Sequence, residues 1–172
     1  MDGEIARRRF REIVPPNLDA AYRLAGWIAG PSEAEDVVQD AALRALAALA
    51  TVAPANPRAW WLTIVRNAAL SAAKRAQGRA TGRADEREAE EAADPAPDAL
   101  AALIAKGEAA RVRDALARLP PALRETLMLR EIEDLNYREI AALTQAPMGT
   151  VMSRLARARA ALANWLGQHD ER

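Results

Sequence analysis

The 172-residue sequence has no cysteine, one histidine, 4% aromatic residues and no surplus of either charge. Without cysteine there is neither a disulfide framework nor a thiolate zinc site. The lone histidine, His169, stands near the end of the chain. Few aromatic or β-branched runs exist to make strands, so a chain dominated by Ala, Leu, Arg and Glu is expected to be all-α. No segment approaches the ~20 uninterrupted apolar residues of a membrane span. Arg7, Arg8 and Arg9 have no apolar core behind them, so no secretory signal and a cytoplasmic location are expected. No catalytic residue, metal, cofactor or membrane insertion is expected either.

The balanced charge argues at first against nucleic acid, whose binders usually carry a basic surplus. Its distribution changes that view. Residues 1–83 hold twelve basic and eight acidic side chains, residues 84–109 two and eight, and residues 110–172 ten and eight. An acidic middle hides two mildly basic ends. Arg154, Arg157 and Arg159 have no acidic neighbour in sequence until Asp170.

Helical signals divide the chain into two blocks. Asn17 is placed to cap a helix with Leu18, Ala21, Tyr22, Ala25 and Ile28 on one stripe, stopped by Gly30. Ser32 and Glu35 have capping-box spacing and open a helix reaching about residue 50. That helix carries an apolar stripe of Ala34, Val37, Val38, Ala41, Ala45 and Leu49. After a Pro-rich break, Asn56 and Pro57 start a third helix through Trp60, Ile64, Ala68 and Ala72 toward Lys74. From residue 77 to about 99, Gly, Pro and charged residues leave too little apolar surface to offset ordering entropy. This stretch reads as a flexible acidic linker, with at most transient helix over 84–93. The expected organisation is a domain at 1–79, a linker at 80–108 and a second domain at 109–172.

In the second block, helices are expected over 109–119, 122–133, 137–143 and 148–166. A short helix, a turn of about four residues at 144–147 and a longer helix with a basic face make a helix-turn-helix pattern. Ile140, Ala141 and Leu143 can pack on Val151, Leu155, Ala158 and Leu162. Thr150, Ser153, Arg154 and Arg157, at i, i+3, i+4 and i+7, share the opposite face, which suits a major groove. The plain alternative is a solvated arginine face on a helical hairpin.

The run Leu135-Asn136-Tyr137-Arg138-Glu139-Ile140-Ala141 and the run Gly149-Thr150-Val151-Met152-Ser153-Arg154-Leu155-Ala156-Arg157-Ala158-Arg159 resemble region 4 of the extracytoplasmic-function (ECF) sigma factors of the sigma-70 family. The resemblance implies a module that reads the −35 promoter element and docks on the flap of the RNA polymerase β subunit. Thr150, Ser153, Arg154 and Arg157 are the DNA-contact candidates. Met152 and Ala156 depart from the family pattern, where a basic residue and a bulkier one are common.

The first block is similar to region 2 of the same family through Ala34-Glu35-Asp36-Val37-Val38-Gln39-Asp40-Ala41. Read alone, Asp36 and Asp40 have the spacing of an acid–base or metal pair, but no histidine accompanies them. A solvated helix face is the other local reading. The resemblance implies that Asp36, Gln39, Asp40 and Leu43 grip the β′ clamp helices of polymerase. Trp60, Ile64 and Asn67 match the family's Trp-x-x-x-Ile-x-x-Asn spacing, which implies a helix that holds the melted −10 strand. Asn67, Thr63, Arg66 and Lys74 are the candidates there, while Trp60 and Trp61 are expected in the core. Trp61 and Ser71 depart from the usual leucine and aspartate.

Both resemblances together imply an alternative sigma factor, a region 2 bundle of three or four helices followed by a region 4 helix-turn-helix bundle. Its implied partners are core RNA polymerase and promoter DNA, with an anti-sigma factor usual for the family and a monomer as the default state. Two other classes fit parts of the pattern. One is a sigma-factor mimic that sequesters an anti-sigma factor; the other is a helix-turn-helix repressor.

Overall fold

The structure, a computed structural model, describes residues 2–79 and 109–167. Every regular element among them is a helix. The expected linker at 80–108, its transient helix over 84–93 and the chain after residue 167 lie outside the described residues. The chain divides into two compact units.

The N-terminal unit holds α1 (Asp2–Ile13), a 3-10 turn (Pro15–Asn17), α2 (Leu18–Ala29), α3 (Ala34–Ala48) and α4 (Pro57–Arg79). Helices α2, α3 and α4 pack against one another, and α1 lies chiefly on α3. Sequence periodicity assigns no helix before Asn17, yet Ala6, Arg9, Phe10 and Ile13 share one stripe of α1, with Ala6 and Ile13 buried. The arginine run hides this stripe, because one member serves the packing. The Arg9 guanidinium donates to the carbonyls of Leu49 and Val52, each at 3.1 Å. It thereby satisfies acceptors that the end of α3 leaves without intrahelical donors.

Three local expectations need correction. Asn17 precedes α2 but makes no side-chain cap there; its Nδ2 donates to Ile13 O at 2.7 Å and closes the preceding helix instead. The buried face of α2 is Ala20, Ala21, Leu24 and Ala25, whereas Tyr22 is exposed and Ile28 half-buried. Three alanines beside Leu24 let α3 and α4 approach, and Tyr22 is turned outward. The Ser32–Glu35 capping box does not form. Backbone bonds Glu33 N to Gly30 O and Ala34 N to Pro31 O already close that turn, and Glu35 accepts from Gln39. Gly30 ends α2 at φ +100°, a conformation that favours glycine.

The stripe expected on α3 is buried throughout. Asn56 caps α4 as expected, its Oδ1 accepting from Ala59 N at 3.1 Å with Pro57 at the first helical position. The core side chains of α4 are Trp61, Leu62, Val65, Ala68, Ala69 and Ala72; Trp60 and Ile64 are half-buried beside them. Trp61 is fully buried and its indole N–H donates to Asn17 O at 3.4 Å. The two tryptophans therefore divide, one in the core and one at its edge.

The C-terminal unit holds α5 (Ala109–Arg118), α6 (Pro121–Glu131), α7 (Tyr137–Thr144) and α8 (Met148–Gly167). Helix α8 touches the other three. Val151, Leu155, Ala158 and Leu162 of α8 are buried with Ile140 and Leu143 of α7, and Leu123, Leu127 and Met128 of α6. Arg118 stacks over the Trp165 ring with 5.5 Å to the centroid, joining the end of α5 to the end of α8.

Helix α7 opens with a capping box that periodicity did not reveal. Asn136 Oδ1 accepts from Glu139 N at 3.0 Å, and Asn136 N donates to Glu139 Oε2 at 2.7 Å. Asn136→Ala is expected to cost about 1 kcal/mol of stability, read as a lowered urea midpoint; an unchanged midpoint would mean that water caps the helix as well.

Candidate nucleic-acid interface and partner face

Helix α7, the turn and α8 form the expected helix-turn-helix. Gln145 closes α7 in the left-handed region (φ 55°, ψ 35°), and Ala146 N donates to Ala141 O at 3.1 Å. This sharp stop frees the chain to restart at Met148. The first turn of α8 then presents backbone N–H groups that lack intrahelical acceptors, a natural place for a phosphate.

Thr150, Ser153, Arg154 and Arg157 lie together on α8, away from Val151, Leu155 and Ala158. Ser153 is exposed, and Thr150, Arg154 and Arg157 are half-buried. The Ser153 hydroxyl donates to Thr150 O at 3.1 Å and keeps its lone pairs for an outside donor. Arginine forks beside hydroxyls match guanine edges and phosphates.

Arg159 does not belong to this face. It is only 9% exposed, and its guanidinium meets Glu131 of α6 at 2.7 Å. Burial alone pushes the Arg159 guanidinium down from its ordinary value. The hydrogen bond and charge of Glu131, joined by the Tyr137 hydroxyl, outweigh that and hold it above. The third arginine of the sequence run thus ties α8 to α6. The signal missed was Glu131, 28 residues earlier and on another helix.

In the N-terminal unit, Asp36, Gln39, Asp40 and Leu43 fall on one face of α3 at i, i+3, i+4 and i+7. Leu43 is 71% exposed, the most exposed large apolar side chain among the described residues. Asp40 is already paired with Arg44 at 2.8 Å, and Gln39 Nε2 donates to Glu35 Oε1 at 3.3 Å. Asp36, also exposed, stands beside them. Glu35 was read from the sequence only as a capping residue and Arg44 not at all, although their spacing of four from Gln39 and Asp40 was available.

Thr63, Arg66, Asn67 and Lys74 share a stripe of α4. Asn67 and Lys74 are exposed, Thr63 and Arg66 half-buried. The Thr63 hydroxyl donates to Ala59 O at 2.8 Å, so toward an outside group it acts as an acceptor. Among the described residues no group of three or more His, Asp or Glu side chains could hold a metal ion, and no helix is long and apolar enough to cross a membrane.

Comparison with known families matches "Sigma-70 region 2" to residues 13–79 and "Sigma-70, region 4" to residues 109–162. Two helical modules in this order define the class, and the chain belongs to the sigma-70 family, in its ECF group. Sigma factors are not enzymes in the catalytic sense. One relative is the ECF RNA polymerase sigma factor SigE of Mycolicibacterium smegmatis, 32% identical over 168 residues, covering 92% of this chain and 62% of the relative. The RNA polymerase sigma-H factor of Pseudomonas aeruginosa is 49% identical over 53 residues, 31% of this chain and 28% of its own. The ECF RNA polymerase sigma-E factor of Escherichia coli is 52% identical over 46 residues, 27% of this chain and 24% of its own. The chain therefore spans less than two thirds of the length of these relatives. Among solved structures, the sigma factor RpoE in complex with the anti-sigma factor NepR from Bartonella quintana has a TM-score of 0.68 at 25% identity, covering 93% of this chain and 98% of that one. CnrH in complex with the cytosolic domain of CnrY has a TM-score of 0.65 at 25% identity, covering 98% of each.

Proposed function

We propose that this chain binds core RNA polymerase and directs it to particular promoters, catalysing nothing itself. The observation that carries the reading is an exposed Leu43, flanked by Asp36, in a region 2 module whose chain also bears a region 4 helix-turn-helix. Region 2, over residues 1–79, grips the β′ clamp helices through Asp36, Gln39, Asp40 and Leu43. Thr63, Arg66, Asn67 and Lys74 of the same module hold the melted −10 strand, amide and hydroxyl reading base edges and the cations tracking phosphates. Region 4, over residues 109–172, docks on the β flap and reads the −35 duplex through Thr150, Ser153, Arg154 and Arg157. Residues 80–108 tether the two, so that engagement of one raises the effective concentration of the other.

The family match displaces the repressor alternative, because the first module is sigma region 2 rather than a ligand sensor. Retention of Arg154 on the face of α8 away from the core supports the DNA reader over the mimic. The protein acts in the cytoplasm as a monomer, restrained by an anti-sigma factor of the kind bound to RpoE and to its like.

Transcription by core polymerase on a genomic promoter library, with and without the chain, tests this function. The expected result is a set of transcripts that appear only with the chain and share −35 and −10 motifs. No association with core polymerase and no new transcripts would refute it. The acidic segment is expected to keep the chain off DNA in the absence of polymerase. Neutralising Asp85, Glu86, Glu88, Glu90 and Glu91 should then raise polymerase-free DNA affinity at fixed salt; equal affinity would discard that role.

A further inference from the structure

The exposed surface of α8 is divided lengthwise. At about 100° per residue, Thr150, Arg154 and Arg157 occupy one flank, and Ser153 lies between the flanks with Gly149. The other flank is apolar: Met148, Met152 and Ala156 recur at i, i+4 and i+8. Met152 is 52% exposed and Met148 43%, although Val151 and Leu155 next along the helix are fully buried. The fold does not use Met152 for its core, since half of its surface is exposed among the described residues.

From this division we infer that Met152 is a specificity-determining residue that reads the C5-methyl group of a thymine in the −35 element. The inference rests on the proposed function and adds the base class that one side chain selects. Met152 is the fifth residue of the helix, within the N-terminal part of a recognition helix that reaches base edges. In the major groove the apolar group that a base pair offers is the thymine methyl; the remaining groups there are hydrogen-bond donors and acceptors. A thioether pairs poorly with those and well with a methyl, and its unbranched, polarisable chain can reach across the groove floor. The arginine flank takes guanine edges and phosphates. The two flanks thus read different bases, and a basic residue at position 152 would not discriminate in this way.

Holoenzyme reconstituted from core polymerase and the full chain provides the test, on a promoter recovered from the genomic library. Each −35 thymine is replaced singly by deoxyuridine, which removes the methyl and nothing else. At one position the wild-type holoenzyme should bind about fourfold more weakly, the order expected for exposing one methyl group. Met152→Ala should be indifferent to uracil at that position, while Met152→Leu keeps the penalty. Because the side chain is half out of the protein, unfolding midpoints of both variants should match wild type. Equal wild-type affinity for every uracil promoter would overturn the inference, as would a full uracil penalty in Met152→Ala or a −35 element without thymine. A chain that never engages polymerase overturns the function itself, and this inference with it.

Discussion

Replacing Arg159 with alanine is expected to destabilise the C-terminal unit by about 3 kcal/mol, the lower end for breaking a buried ion pair from one side. The lower end applies because Glu131, with 18% of its side chain exposed, retains some access to water. Its charge nevertheless loses the guanidinium at 2.7 Å, and Tyr137 loses a hydrogen-bond donor. Arg159 is held above its ordinary value, so its contribution is complete below the ordinary arginine range and is lost only as pH rises beyond it. Across the working pH range the arginine side of the pair is therefore always charged. Removing both charges in Arg159→Met with Glu131→Leu should recover most of the loss, since apolar groups of similar size can replace a buried pair. Urea unfolding followed by circular dichroism measures both variants. A single-variant loss below about 0.5 kcal/mol would mean an ordinary surface pair. By contrast, Arg154→Ala should leave stability almost unchanged and weaken promoter binding by about 1–3 kcal/mol.

Leu43→Asp is expected to weaken association with core polymerase by about 2 kcal/mol or more, roughly 30-fold. An apolar side chain that is 71% exposed contributes little to the fold, so circular dichroism of the variant should match wild type. Asp36→Arg should act in the same direction through charge reversal against a basic partner. Asp40→Ala should do less, because Arg44 already holds that carboxylate at 2.8 Å. Titration of labelled chain with core polymerase gives the affinities. Unchanged binding by Leu43→Asp would move the polymerase contact off this face of α3.

Most of the fold was legible where apolar spacing is regular and the helix start is chemically marked. The α3 stripe, the Asn56–Pro57 start of α4 and the packing of Val151 and Leu155 followed from local pattern. What escaped depended on partners distant in sequence or on competing local bonds. Arg9 spans to residues 49 and 52, and Arg159 to Glu131, and no periodicity reports such pairs. Ser32 and Glu35 had the right spacing for a capping box, but the turn closed through its own backbone. Asn136 and Glu139, with the same spacing, do form one. On α4, Ala68 and Ala72 are buried as their spacing implied, and of the two tryptophans expected in the core Trp61 is fully buried while Trp60 stays at its edge.

The candidate site was legible to the level of faces, less so to the level of residues. Spacing alone gathered Asp36, Gln39, Asp40 and Leu43, and likewise Thr150, Ser153, Arg154 and Arg157. Exposure then ranked them: it raised Leu43 and Asp36 above the ion-paired Asp40, and it removed Arg159 from the basic face.

Photo-crosslinking from single positions in the initiating complex would separate the two contacts on which the function stands. With a crosslinking side chain at position 43, label should pass to the large β′ subunit; from position 153, it should pass to promoter DNA upstream of the start site. Label from position 43 on DNA, or from position 153 on protein alone, would contradict this division of labour between the first module and the last helix.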